Sequence, residues 1–115
     1  MIRRNGTYES EIREKMRGGE GKVRIEHLWK KEELKGKTRL CARLTLDPGA
    51  SIGFHEHAGE EEIYAIVSGE GITVDGGTEA HVRAGDTILT GDGAGHSIQA
   101  VGAQPLVILA VILLC

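Results

Sequence analysis

The feature that most narrows the fold is a repeated phrase: a short run with apolar side chains at every second position, closed by a glycine turn. Thr38 to Leu46 is the cleanest run. Leu40, Ala42, Leu44 and Leu46 fall on one side, and Arg39, Cys41, Arg43 and Thr45 on the other. Period two marks a strand with one face on a core. Comparable runs begin at Lys22, Ser51, Glu62, Ile72, Thr78, Thr87, His96 and Leu106. Turn chemistry separates them, as in Asp47-Pro48-Gly49, Gly69-Glu70-Gly71, Gly76-Gly77 and Gly91-Asp92-Gly93-Ala94-Gly95. With only 2 prolines beside them, the 17 glycines read as turn punctuation and not as a disordered tract. Short strands with turn signals about eight to twelve residues apart imply an all-β sandwich or barrel. At 115 residues the chain is one domain, large enough for its own core.

The N-terminal stretch departs from this pattern. Residues 8–17 hold helix formers, with Glu9 to Arg13 and Glu11 to Lys15 in acid-to-base i,i+4 order and Ile12 and Met16 on one helical face. They predict a short amphipathic helix stopped by Gly18-Gly19. The chain thus divides into an arm over 1–21, carrying that helix, and a barrel over 22–115.

Composition excludes several function classes. The net charge is −3 with no basic stripe, and aromatic residues make up 3%. Neither fits a nucleic-acid surface. The N-terminus lacks the apolar run of a signal peptide. The apolar run Leu106 to Leu114 is about half the length a bilayer needs, so it reads as a buried strand and not as a membrane span. Cys41 and Cys115 have no metal-ligand spacing and read as reduced thiols. These features describe a cytoplasmic protein. Leu106–Leu114 is apolar on both faces, as are the residues after Glu62. A domain this small has few places buried on both sides, so a homodimer interface is the expected outlet.

The chemistry concentrates between Gly49 and Gly69. His55 and His57 are two residues apart, so on a strand they point to one face. Glu62 heads the next strand, and a tight turn over Ala58-Gly59-Glu60-Glu61 returns it toward the histidines. Two imidazoles and a carboxylate suit a borderline divalent metal, although Glu60 and Glu61 compete with Glu62 for that role. Gly53 shares the histidine face and leaves room for a ligand or a close backbone approach. Ser51 and Tyr64 share parity with the ligands on their strands and are expected to line the pocket. Tyr64 is the candidate catalytic residue, as donor of a hydrogen bond or a proton. His27 and His81 lack partners of this kind and read as a core or edge histidine and an exposed one.

These residues resemble the cupin family. Its first motif runs glycine, five residues, His-x-His, three or four residues, Glu, six residues, Gly, and Gly49, His55, His57, Glu62 and Gly69 complete it. That register favours Glu62 over its neighbours. In the second motif Gly85, Gly93 and His96 match, whereas Gly91 and Ala100 stand where proline and asparagine are expected. The resemblance implies a double-stranded β-helix, the jelly-roll barrel. It also implies one divalent transition metal, Mn, Fe, Co, Ni, Zn or Cu, held by His55, His57, Glu62 and His96. Four protein ligands leave two adjacent coordination positions for a small molecule.

Two functions follow. One is an enzyme (an oxygenase, decarboxylase, isomerase or lyase) acting on a small polar or acidic substrate. The other is a metal-dependent binding or sensing module without turnover. Consumption of O₂ or substrate separates the first from the second.

Overall fold

The computed structural model describes Met1–Cys115 throughout. Ten strands form two antiparallel sheets: β1 (Glu9–Glu14), β2 (Lys22–His27), β3 (Thr38–Leu46), β4 (Ser51–Glu56), β5 (Glu60–Ser68), β6 (Glu70–Asp75), β7 (Thr78–Arg83), β8 (Thr87–Gly91), β9 (Gly95–Val101) and β10 (Leu106–Leu114). The six-stranded sheet has the order β1-β2-β3-β10-β5-β8 and the four-stranded sheet β4-β9-β6-β7. This is the expected jelly-roll barrel. Its core is the inward parity of the facing strands: Leu44 and Leu46 from β3, Ile52 from β4, Ile98 from β9, and Leu106 and Ile108 from β10 are each at most 2% exposed. Burying each such side chain contributes about 1.5–3 kcal/mol.

The N-terminal helix does not form. Residues 9–14 pair with β2, from Glu9↔His27 to Glu14↔Lys22. A 3-10 turn at Met16–Gly18 follows, with Lys15 (φ 51) and Arg17 (φ 55) in the left-handed region. Helix propensity differences amount to about 0.7 kcal/mol per residue at most, and so short a helix is marginal alone. The open edge of β2 offers a full ladder of hydrogen bonds instead. Ile12 remains 65% exposed, while Met16 packs partly buried against the core.

Within one chain only one face of β10 is buried. On its outer face and on the adjoining strands, Leu109, Ile63, Val67 and Leu89 are 38%, 37%, 50% and 61% exposed.

Strand parity breaks at two positions near one end of the barrel. On β4 the pairing steps from Ile52↔Ile98 to His55↔His96, one extra residue against β9. On β3 it steps from Leu40 to Thr38 while β10 advances from Ile112 to Leu113, which leaves Arg39 in a bulge. A bulge re-aims the side chains beside it, and both bulges lie at the histidine cluster.

Candidate metal centre

Three strands, β4, β5 and β9, converge on one point. His55 ends the bulge on β4 and is paired directly with His96 on β9. His57 lies just past β4. Its N–H donates to Ala94 O and its carbonyl accepts from Gly93 N–H, each at 3.0 Å, so the backbone still holds it against the glycine-rich loop before β9. Glu62 comes from β5, which starts at Glu60, so the turn is shorter than expected. His57, Glu62 and His96 are 2%, 3% and 1% exposed.

Each imidazole is fixed through its Nδ1. His55 donates to Gly53 O at 2.8 Å. His57 donates to Glu60 Oε1 at 2.8 Å. Glu60 is itself gripped by Arg39, whose Nε and Nη2 donate to it at 2.8 and 2.9 Å. His96 Nδ1 lies 2.9 Å from Thr90 Oγ1. A carbonyl and a carboxylate can only accept, so His55 and His57 carry Nδ1–H and turn bare Nε2 atoms inward.

The inward atoms fit a metal ion. His96 Nε2 is 3.0 Å from the Nε2 atoms of both His57 and His55. Glu62 Oε1 is 3.0 Å from Nε2 of His57 and of His96, and 3.9 Å from that of His55. Despite this closeness, Glu62 Oε1 is buried with no hydrogen-bond partner, because the facing nitrogens present lone pairs. Metal–nitrogen and metal–oxygen bonds of about 2.1 Å place neighbouring donors about 3 Å apart at right angles. A divalent ion therefore satisfies both the spacing and the orphaned oxygen.

His55, His57 and Glu62 line a small cavity of about 100 Å³. Tyr64 lines it and stacks on His96 with centroids 4.8 Å apart and planes 19° from parallel. Burial, reinforced by the Glu62 charge, raises the Tyr64 phenol well above its ordinary range. It stays protonated and can give a hydrogen bond or a proton. Arg13 from β1, and Met16 and Arg17 from the segment after it, reach the same cavity. That segment is seated backbone to backbone on β4: a Cβ on Gly53 would stand 2.0 Å from Arg17 O, and one on Gly19 would stand 2.2 Å from Ser51 O. The missing side chain of Gly53 thus serves a close backbone approach.

Ser51 does not line this cavity. The β4 bulge reverses its parity relative to His55, and its Oγ accepts the Glu20 N–H at 2.8 Å on the outer side. Conversely, Glu60, Arg39 and Thr90 are at the site. Glu60 had a signal, since it stands three residues after His57. Arg39 and Thr90 had none, because nothing local marks a bulge or a support on a remote strand. Larger hollows, such as one of about 240 Å³ beside Trp29, hold no converging donor set; His55, His57, Glu62 and His96 form the one such group in the chain.

A sequence model of the Cupin domain matches residues 42–112. The chain belongs to the cupin family. This cupin is 45% identical over 114 residues to a Thermotoga maritima protein named oxalate-binding protein, covering 99% of this chain and 94% of that one. A Thermotoga maritima crystal structure described as a predicted oxalate decarboxylase superposes with a TM-score of 0.96 at 44% identity, covering all of both chains. The cupin domain of Schizosaccharomyces pombe Cnp3 superposes with a TM-score of 0.74 over 91% of this chain and 69% of that one. At 10% identity that likeness concerns the fold alone.

Proposed function

We propose that this cupin holds one divalent transition metal through His55, His57, Glu62 and His96 and uses it to bind a small dicarboxylate, oxalate being the leading instance. The observation that carries this reading is the buried, unpartnered Glu62 Oε1 facing three imidazole nitrogens, beside a small cavity that Arg13 and Arg17 also line. A volume of about 100 Å³ lies well below the roughly 300–1,000 Å³ of drug-sized sites. A ligand of few atoms fits it, and Arg17 favours an anion, whereas Arg13 is paired with Glu11 in the same lining. The name of the Thermotoga maritima relative supports the same class. When bound, a divalent ion supplies positive charge to carboxylate oxygens. Around it the chain's own residues hold the donors and wall the cavity with the apolar side chains of Leu40, Leu44 and Ile112, and Arg17 also lines it.

A second reading, turnover of the bound acid, is favoured by Tyr64, a phenol kept protonated beside the cavity. The exposed apolar residues Ile63, Val67, Leu89 and Leu109 support a homodimer built on the outer face of the six-stranded sheet. Light scattering that finds only monomer refutes the dimer.

Calorimetry with oxalate on manganese-loaded and metal-free protein tests the main reading. Saturable binding by the loaded form alone is expected, and no binding by either form refutes it. CO₂ release from bound oxalate, lost in Tyr64→Phe, converts the binding reading into the enzymatic one.

A further inference from the structure

Thr90 and Asp75 stand at the metal end of the barrel without a part in the function proposed above. Thr90, on β8, is 1% exposed. Its Oγ1 lies 2.9 Å from His96 Nδ1 and also hydrogen-bonds to Asp75 Oδ1 at the end of β6. Asp75 is the register partner of His96 in the β6–β9 ladder, and Thr90 is the partner of Glu62 in the β5–β8 ladder. The contact therefore ties the two sheets together at the candidate site.

The direction of these bonds is forced by proton counting. A hydroxyl carries one proton, and an ionised aspartate offers acceptors only. Thr90 must donate to Asp75, which leaves only lone pairs on Oγ1 toward His96. His96 Nδ1 must then carry the hydrogen, and Nε2, the atom 3.0 Å from the other two rings, is left open. Without Asp75 the hydroxyl is free to rotate and donate to Nδ1. That would move the ring proton to Nε2, where it would point into the donor cluster and block ligation.

We propose that Asp75 and Thr90 form a positioning relay that fixes the His96 tautomer with Nε2 facing the metal position. The relay rests on the metal reading for its purpose, but the tautomer it sets is a property of the chain alone. His57 is served differently, by Glu60 anchored on Arg39, and His55 by the Gly53 carbonyl. The three ligands thus have three different supports, and only that of His96 depends on a rotatable hydroxyl whose direction another residue must set.

Two measurements on Thr90→Val, Thr90→Ser and Asp75→Ala test this. In metal-free protein with ¹⁵N-labelled histidine, His96 Nδ1 should show the protonated-type shift in wild type and Thr90→Ser, and lose it in Thr90→Val. Zinc affinity, read by competition with a chromogenic chelator, should fall about ten- to a hundredfold in Thr90→Val. Asp75→Ala should lie between, and Thr90→Ser should stay near wild type. Thr90→Ser falling as far as Thr90→Val would show that the methyl and not the hydroxyl matters, and would overturn the relay. So would an Nε2-protonated His96 in metal-free wild type, or Thr90→Val with wild-type zinc affinity. A wild type that takes no zinc, yet loses the Nδ1 signature in Thr90→Val, supports the relay and refutes the metal reading.

Discussion

Gly53→Ala isolates the role of the N-terminal segment in closing the cavity. The new methyl would stand 2.0 Å from Arg17 O and 2.9 Å from Gly19 N, both backbone atoms. No rotamer relieves such a contact, so residues 16–19 must retreat from β4 by roughly 1 Å or more to restore ordinary carbon–oxygen separation. Overpacking of this kind costs about 1–3 kcal/mol, and alanine's smaller unfolded-state entropy offsets about 0.4–1 kcal/mol of it. A net loss of about 1–2 kcal/mol lowers Tm by about 4–8 °C for a chain of this length. Gly53 O also accepts the His55 Nδ1–H, so the displacement reaches a ligand. Hydrogen exchange should accelerate in residues 9–21 while β3, β5 and β10 stay protected, and oxalate affinity should fall more than metal affinity. Unchanged exchange in residues 9–21 together with an unchanged Tm would refute the account of how this segment is seated.

Glu60→Gln should weaken metal binding about ten- to a hundredfold in a chelator competition assay, because the amide nitrogen that replaces Oε2 cannot accept from Arg39 Nε and the neutral side chain loses the charge that anchors it. Wild-type affinity would contradict the support assigned to Glu60. Acid should release the N-terminal arm. Arg3 donates to both Glu33 carboxylate oxygens and lies 4.4 Å over the ring of Trp29, the chain's single tryptophan. The Arg3 guanidinium, with the Lys30 N–H, holds Glu33 at about 2. The folded value is depressed, so this stabilisation is complete above the ordinary carboxylate pKa of about 4.5 and is lost as pH falls toward 2. Trp29 fluorescence should change across that window in wild type and not in Arg3→Ala. An identical transition in both proteins would show that the pair does not hold the arm.

The parts of the structure legible in the chain are those governed by nearest neighbours along it. Alternation over Thr38–Leu46 placed the inner face of β3, and the His-x-His spacing marked His55 and His57, while the cupin register was needed to choose Glu62 and to add His96. Failures came where distant strands decide. The arm at residues 9–14 carries helix-type spacing but pairs with the open edge of β2. Ser51 shares parity with His55 in the sequence, yet the one-residue bulge between Ile52 and His55 places the two on different sides. Arg39 reads as outward-facing until its own bulge brings it to Glu60. Thr90 and Asp75 reach His96 only because two sheets close on one another. A single residue's insertion in a ladder inverts every side chain beyond it, and no local pattern records such an event.

The measurement that bears most directly on the central claim is metal content. Untagged wild-type protein purified without chelator, with His96→Ala beside it, should be analysed for all first-row transition metals. About one ion per chain in wild type, absent from a variant that keeps its β-type circular dichroism, is the expected result. No bound metal in wild type, even after reconstitution with manganese, iron, cobalt, nickel, copper and zinc, would contradict the assignment of His55, His57, Glu62 and His96 as a metal centre.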